Sequence, residues 1–362
     1  MRCSATNARS ADFDSMTEHI YPWKWSLSDL DLIQTNGHTV FSCFSCGGGS
    51  TMGYKLAGYT VLGNCEIDPQ MMKLYRKNHR PKHSFLMDIR DFSRLPDSDL
   101  PEELRNLDIL DGSPPCSVFS TAGEREKGWN REKVFREGQK RQRLDDLFFW
   151  FIGVARRLRP KVVVAENVKG ILLGNARGYV NQILKEFDAA GYITQIFLLN
   201  AATMGVPQRR ERAFFIARRK ELSYPKLKLA FSERPILFGE VRSERGKPFV
   251  KQGVYSELLK HRRESDTSIG DIALRMRGKE SGFNNSIDSD NRIASTVVSS
   301  GCHFRMCDGL FLSDRDYINI QTFPQDYDFV GQSVQYVCGM SVPPVMMAHI
   351  AREIEKQWLS GG

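Results

Sequence analysis

Short apolar runs alternate with amphipathic segments along most of residues 39–217 of this 362-residue chain. The apolar runs predict buried strands and the amphipathic segments predict helices. Such alternation is typical of an α/β fold whose mostly parallel sheet is covered on both faces. Strands are predicted at 39–44, 59–65, 84–87, 106–110, 161–165, 194–199 and 213–217, and helices around 52–56 and at 69–78, 144–158, 179–190 and 345–358.

The apolar density falls after residue 217 and returns near residue 312. Basic residues and turn-forming pairs recur in between, which favours a smaller, irregular, mostly β region. We therefore expect three parts: an N-terminal arm (1–37), a discontinuous main domain (38–217 plus 316–362) and a second domain inserted into it (218–315).

The composition narrows the class of protein. A formal net charge of +8 suits a polyanionic partner. No apolar run is long enough for a membrane span and no signal peptide is evident, so we expect a reducing cytosol with free thiols. Cys43 and Cys46 have metal-ligand spacing, but no second ligand pair lies near them, so we expect no metal.

A glycine-rich turn, 45–50, separates the first strand from the first helix. Glycines let a ligand approach the backbone closely, and the free N–H groups of a helix start can bind a phosphate or the carboxylate of an amino-acid-like cofactor. A plain tight turn is the alternative, although Gly47, Gly48 and Gly49 are more glycines than such a turn needs.

Acidic residues follow the next two predicted strands. Glu66, at the end of the second strand, stands where an acid binds ribose hydroxyls. Asp88, at the end of the third, can accept a hydrogen bond from an adenine amino group while Ile89 lies on the ring. Each acid alone is more often a solvated loop residue, but in series after a glycine turn they indicate an adenosine pocket.

Two prolines, Pro114 and Pro115, force a sharp turn after the fourth strand and present Cys116 at its carboxyl end. A small packed cysteine is the alternative. Glu166, at the end of the fifth strand, reaches the same edge. Between them, residues 124–143 hold an excess of positive charge, which fits a lid over nucleic acid or, less specifically, a solvated loop.

Arg210 and Arg212 alternate at the start of the seventh strand, so they can share a face and bind a phosphate or a base oxygen. This set of groups suits one reaction: a thiolate adds to C6 of cytosine, a carboxyl group hydrogen-bonds N3, and C5 then attacks the methyl group of S-adenosylmethionine. Loss of the C5 proton expels the thiolate. A base inside a duplex must first be flipped out.

The chain resembles the DNA (cytosine-5)-methyltransferases of bacterial restriction-modification systems across residues 38–358. The matching motifs stand in the family's order: Phe44 to Gly49, Glu66, Asp88, Pro114 to Cys116, Glu166 to Val168, Gln208 to Arg212, Arg292 to Val298, Arg315 to Pro324 and Gly339 to Pro344.

The resemblance implies an S-adenosylmethionine-dependent methyltransferase (Rossmann-like) fold, a mixed, mostly parallel sheet with a smaller, mostly β target-recognition domain that reads a short site. It implies double-stranded DNA as partner, S-adenosylhomocysteine as product and no metal. It further suggests a cytoplasmic, nucleoid-associated bacterial monomer beside a separately acting restriction endonuclease. The residues carried over are catalytic Cys116, Glu166, Arg210 and Arg212, and cofactor-binding Phe44, Ser45, Cys46, Gly47, Gly48, Glu66, Ile67, Asp88, Ile89, Pro115, Met340 and Ser341.

The chain departs from the family at three positions. Cys46 and Ser113 stand where glycine is usual, and Met340 stands where the family usually has asparagine. A methionine cannot make the hydrogen bonds of an asparagine side chain, so we expect altered cofactor affinity with activity retained. An unchanged affinity and turnover in Met340→Asn would contradict this expectation.

Three other functions remain open from the sequence. A tRNA cytosine methyltransferase shares the catalytic parts but lacks a recognition domain, and the long insert between Arg212 and Arg292 favours DNA. A non-catalytic nucleic-acid-binding protein would have lost Cys116 or Glu166, and both are present. A doubly wound fold with hydride-transfer chemistry would explain the glycine turn alone.

Overall fold

A seven-stranded sheet forms the centre of the protein in the computed structural model, which describes residues 19–115, 146–249, 253–278 and 285–360. The strand order is β3-β2-β1-β4-β5-β7-β6, and β7 runs antiparallel to both its neighbours while the other pairs are parallel. The predicted mixed, mostly parallel sheet is confirmed. The strands are β1 (Thr39–Cys43), β2 (Thr60–Glu66), β3 (His83–Leu86), β4 (Ile109–Gly112), β5 (Val162–Val168), β6 (Tyr192–Asn200) and β7 (Glu211–Arg219).

Helices cover both faces of this sheet. On one face lie α4 (Leu147–Leu158) and α5 (Arg177–Ala189), whose apolar residues share a core with those of the strands. The other face carries α1 (Gly49–Leu56) and, from the end of the chain, α11 (Pro344–Ile354). The other helices of the main sheet are α2 (Pro69–His79) and α3 (Ile89–Phe92).

The described part of 218–315 is not mostly β, so that prediction was wrong. It holds α6 (Phe238–Val241), α7 (Val254–Leu259), α8 (Ile269–Arg277) and one parallel pair, β8 (Ser286–Asp288) with β9 (His303–Arg305). Helix α8 has its own start and stop signals, because Ser268 caps its first turn and Gly278 ends it with φ of 66°.

The proposed borders of the inserted domain remain a prediction. A separate apolar cluster of 258–306 includes Leu259, Ile272 and Phe304. Phe238 and Leu312, near the two ends of the insert, pack instead with residues of the main domain.

The end of the chain returns to the face of the sheet that carries α1, through α9 (Asp314–Ile320), α10 (Val334–Met340) and α11 (Pro344–Ile354). Tyr59 donates a hydrogen bond to the carbonyl of Ala351 across 2.9 Å. From the N-terminal segment, the Trp25 indole donates to the carbonyl of Thr322. Among the described residues, no helix is both long and apolar enough to cross a membrane.

Candidate active site

One cleft of about 1260 Å³ opens where β1, β2, β4 and β5 end and β7 begins. Strand ends that meet at one edge of an open α/β sheet usually form such a site. Of the predicted site residues, those lining the cleft are Phe44, Cys46, Glu66, Ile67, Asp88, Ile89, Pro115, Glu166, Arg210, Arg212 and Met340.

An ion pair joins the predicted acid to one arginine. Glu166 lies inside β5, which runs three residues further than predicted, and its Oε1 is 3.0 Å from Nε of Arg212. The antiparallel pairing of β5 with β7 sets Arg212 opposite Val168, next to Glu166 on the same face. The carboxyl group therefore has a cationic hydrogen-bond donor at a site where only 9% of its residue is exposed.

Arg210 has a different set of partners. It lies just before β7, is 2% exposed, and donates to the carbonyls of Val297, Gly339 and Ser341 at 2.9–3.0 Å. These bonds join the insert and the α10 turn to the main sheet. Burial, and then the charge of Arg212, lower the pKa of Arg210. A catalytic role for Arg210 remains a prediction, whereas its contacts show an architectural one.

Sequence reasoning assigned no contact to Asn167, which is 4% exposed. Its Nδ2 donates to the carbonyl of Pro114 across 3.1 Å, and its Oδ1 accepts from the backbone N–H of Val168. It therefore fixes the double-proline turn to β5. A polar residue at the end of an otherwise apolar strand is the only sequence signal for this role. Cys116, directly after this turn, and the predicted lid at 124–143 lie outside the described residues.

Glu66 holds the glycine-rich turn against β2. Its Oε2 accepts from the backbone N–H of Cys46, and its Oε1 accepts from those of Ile67 and Asp68, all at 2.9–3.0 Å. Burial raises the pKa of Glu66, and these hydrogen bonds oppose the rise. Oε1 already accepts two hydrogen bonds, so one lone pair, on Oε2, remains for a ligand in the cleft.

Asp88 and Ile89 lie where the third strand meets the cleft. Asp88 caps α3 by accepting from the N–H of Arg90, and Arg90 Nη1 lies 3.0 Å from the Asp88 carboxylate. Ile89 is 4% exposed and lines the same cleft. The expected contact of this pair with adenine remains a prediction.

The glycines of the turn are required by the protein's own packing. A Cβ on Gly48, whose φ is 74°, would lie 2.2 Å from Nε2 of His79, and one on Gly47 would lie 2.5 Å from Val337. Phe44 and Cys46 also have positive φ, of 54° and 44°. Gly47 and Gly48 thus shape the turn from behind the cleft.

The departures Cys46 and Met340 both face the cleft. Burial raises the pKa of Cys46 to about 12, so its thiol is protonated, and its Sγ lies 3.7 Å from Sδ of Met71. Ser45 and Ser341 line a smaller cavity beside the cleft. Within the described ranges, no cluster of three His, Cys, Asp or Glu side chains could hold a metal ion.

Relatives of this chain are DNA-modifying enzymes. A sequence model of the C-5 cytosine-specific DNA methylase family matches residues 38–356. The type II methyltransferase M.FnuDI of Fusobacterium nucleatum is 29% identical over 355 residues, which cover 88% of this chain and 94% of the relative. The type II methyltransferase M1.HphI of Haemophilus parahaemolyticus is 27% identical and covers 93% and 91% of the two chains.

Solved structures show the same fold. A DNA modification methyltransferase encoded within an Escherichia coli prophage superposes with a TM-score of 0.63 at 19% identity, covering 89% of this chain and 99% of the other. The DNMT2 of Spodoptera frugiperda gives a TM-score of 0.60 at 17% identity over 88% and 99%. The match over residues 38–356 shows that the chain belongs to the C-5 cytosine-specific DNA methylase family.

Proposed function

We propose that this cleft transfers a methyl group from S-adenosylmethionine to C5 of a cytosine flipped out of duplex DNA. The observation that supports it best is the Glu166–Arg212 pair, which lies at the sheet edge beside a double-proline turn fixed by Asn167. Cys116 follows that turn in the sequence, and we assign it the role of nucleophile.

The first half of the cleft fits the cofactor. Glu66 offers the free lone pair of Oε2 to a ribose hydroxyl, Asp88 an acceptor to the adenine amino group and Ile89 an apolar surface to the ring. Phe44, Cys46, Pro115 and Met340 complete this wall. The methyl group that S-adenosylmethionine carries when bound is the electrophile of the reaction.

The second half of the cleft fits the base. A thiolate at C6 makes C5 nucleophilic only if N3 is stabilised as negative charge develops on the ring. The carboxyl group of Glu166 is the hydrogen-bond partner for N3, and Arg212 holds that group in place from the neighbouring strand. Arg212 also offers guanidinium donors to the base oxygen.

We further propose that residues 218–315 read a short recognition sequence and that the enzyme protects DNA in a restriction-modification system. The names of the type II relatives and the net charge of +8 support this proposal. The methylated sequence, mapped by bisulfite conversion, should be resistant to an endonuclease of the same specificity.

The test measures methyl transfer from labelled S-adenosylmethionine to mixed-sequence duplex DNA and to bulk tRNA. We expect label in DNA cytosines with the wild type and with Cys302→Ser, a thiol control outside the cleft, and none with Cys116→Ser. Label in tRNA alone would refute the proposed DNA substrate. Full activity of Cys116→Ser would refute the proposed nucleophile.

A further inference from the structure

The N-terminal segment, residues 19–34, precedes the part of the chain that matches the family, yet it packs against the main domain. Its Trp25 is 3% exposed and lies in an apolar core that also contains Phe323 and Tyr327. The family match begins at residue 38 and assigns no role to this segment. Any role must therefore follow from the contacts that the segment makes.

Two hydrogen bonds of Trp25 join the segment to the loop that follows α9, residues 322–327. The indole Nε1 of Trp25 donates to the carbonyl of Thr322 across 2.9 Å, and its carbonyl accepts from the N–H of Gln325 across 2.8 Å. Thr322 has a φ of 56°, a left-handed conformation that is strained for a β-branched residue. A strained loop keeps its shape only when surrounding contacts hold it, and Trp25 supplies two of them.

The same loop ends at Tyr327, which contacts the glycine-rich turn. The hydroxyl of Tyr327 lies 2.6 Å from the carbonyl oxygen of Gly47, and Nε2 of His79, at the end of α2, lies 3.2 Å from the same oxygen. Burial raises the pKa of Tyr327 and lowers the pKa of His79 to about 3, so the hydroxyl is protonated and the imidazole is neutral. A carbonyl oxygen can only accept, so both groups donate to it.

The turn is thus held from two directions. Cys46 lines the cleft, and its N–H donates to Glu66 at the end of β2. The next residue, Gly47, is held through its carbonyl by Tyr327 and His79, behind the cleft. A shift at Gly47 therefore moves Cys46 and the backbone N–H groups that follow, which form the surface that a ligand of the turn approaches.

We propose that the N-terminal segment positions the glycine-rich turn for the cofactor, with Trp25 and Tyr327 as positioning residues on one path. Trp25 holds the loop 322–327, and Tyr327 of that loop holds the carbonyl of Gly47. Neither Trp25 nor Tyr327 lines the cleft, so each acts on binding through the turn. The assignment rests on the proposed function, since it takes S-adenosylmethionine as the ligand beside the turn.

The test compares four single variants of the full chain. Tyr327→Phe and Trp25→Phe each remove one hydrogen-bond donor and keep a buried ring. Tyr59→Phe and Trp358→Phe are the matched controls, because each removes a buried hydroxyl or indole that donates to a backbone carbonyl away from the cleft. The measurements are the dissociation constant of S-adenosylhomocysteine by calorimetry, the single-turnover rate of methyl transfer at saturating cofactor, and the melting temperature.

For Tyr327→Phe we expect the dissociation constant of S-adenosylhomocysteine to rise roughly fivefold, as for one lost hydrogen bond, with the rate at saturating cofactor unchanged. Trp25→Phe should raise this constant roughly threefold, because it acts one contact further away. The controls should lose similar melting temperature and bind like the wild type. Unchanged affinity in Tyr327→Phe, or equal weakening in Tyr59→Phe, would overturn the proposal. Absence of any binding by the wild type would refute the proposed function itself.

Two further measurements test the path between the two residues. If Trp25 acts through Tyr327, the double variant should bind S-adenosylhomocysteine no more weakly than Tyr327→Phe alone, and additive losses would refute the path. Hydrogen exchange of the empty protein reports on the turn directly, because the N–H groups of Cys46 and Gly48 are hydrogen-bonded within it. Both amides should exchange faster in Tyr327→Phe and in Trp25→Phe than in the controls. Equal exchange in all four variants would refute the positioning role.

Discussion

Removal of the Asn167 side chain should slow catalysis far more than it unfolds the protein. Asn167→Ala deletes one hydrogen bond to the carbonyl of Pro114 and one from the N–H of Val168, both at a buried site. Each such bond contributes about 1 kcal/mol, and a buried group left without a partner costs about 1–3 kcal/mol. If about 2 kcal/mol of the energy that holds the turn in its reactive position is lost and added to the activation free energy, the rate falls roughly thirtyfold.

The assay compares single-turnover methyl transfer, at saturating DNA and cofactor, with the melting temperature of each variant. The matched control is Asn319→Ala. Asn319 is another buried amide, which donates to the carbonyl of Val241 and accepts from Gln325, and it does not line the cleft. We expect similar losses in melting temperature for the two variants and a loss of rate for Asn167→Ala alone.

Two results would refute this reasoning. One is a wild-type rate for folded Asn167→Ala, which would mean that the turn keeps its position without the tether. The other is an equal loss of rate in both variants, which would mean that the assay follows general stability. The hydrogen bond from Asn167 holds the carbonyl of Pro114, two residues before Cys116 in the sequence.

Three further predictions concern the same edge of the sheet. Arg212→Met leaves Glu166 without its ion pair, so the rate of single-turnover methyl transfer should fall at least about a hundredfold. Arg212→Lys should restore part of this rate, and equal rates in the two variants would contradict the role of the ion pair. Gly48→Ala should lower the melting temperature and the affinity for S-adenosylhomocysteine, because the added Cβ would overlap the His79 ring. Gly178→Ala is the control and should change neither, because its added Cβ has no neighbouring side chain or distant backbone atom within 4 Å. Burial raises the pKa of Asp111 to about 7, so between pH 4 and pH 7 the folded chain holds a proton on this group that the unfolded chain has released. The free energy of unfolding should therefore fall as pH rises, by up to about 1.4 kcal/mol per pH unit. Urea titrations at several pH values should show that this free energy depends less on pH in Asp111→Asn than in the wild type.

The sequence predicted those parts of the site that depend on short stretches of chain. A glycine turn after β1, and acids after β2 and β3, are local patterns whose place at the sheet edge follows from parallel strands. The ends of strands were less accurate, and the extension of β5 to Val168 puts Glu166 within the strand. Glu166 still lies at the carboxyl edge of the sheet, as predicted, because the extended strand ends at the cleft.

Contacts between distant segments could not be predicted in this way. Asn167 bonds to a carbonyl 53 residues earlier, and Arg210 bonds to carbonyls 87, 129 and 131 residues later. Alternation in a strand predicted that Arg210 and Arg212 would share a face. It could not show that three buried carbonyls take up the first guanidinium group, because those carbonyls are supplied by the insert and the α10 turn.

The inserted region shows why composition alone misled. Turn-forming pairs and low apolar density suggested short strands, yet Ile269, Ile272 and Ala273 have the spacing of a helix face. Together with the cap at Ser268 they were a sufficient local signal for α8. The signal was outweighed because it spans only nine residues within a polar segment.

On one face of the sheet, the polar and charged side chains of the cleft directly follow the apolar core along the strands. Val40, Ile109, Val164 and Phe214 belong to one apolar core, and the residues two positions towards the cleft on the same strands are Ser42, Asp111, Glu166 and Arg212. Because side chains alternate in a strand, the face changes from core to reactive groups within one repeat. This row contains two buried acids and one arginine, so one negative charge is left without a partner when both acids are ionised. Burying a charge without a partner costs stability, so this row of side chains is less stable when both acids are ionised than when one of them is protonated.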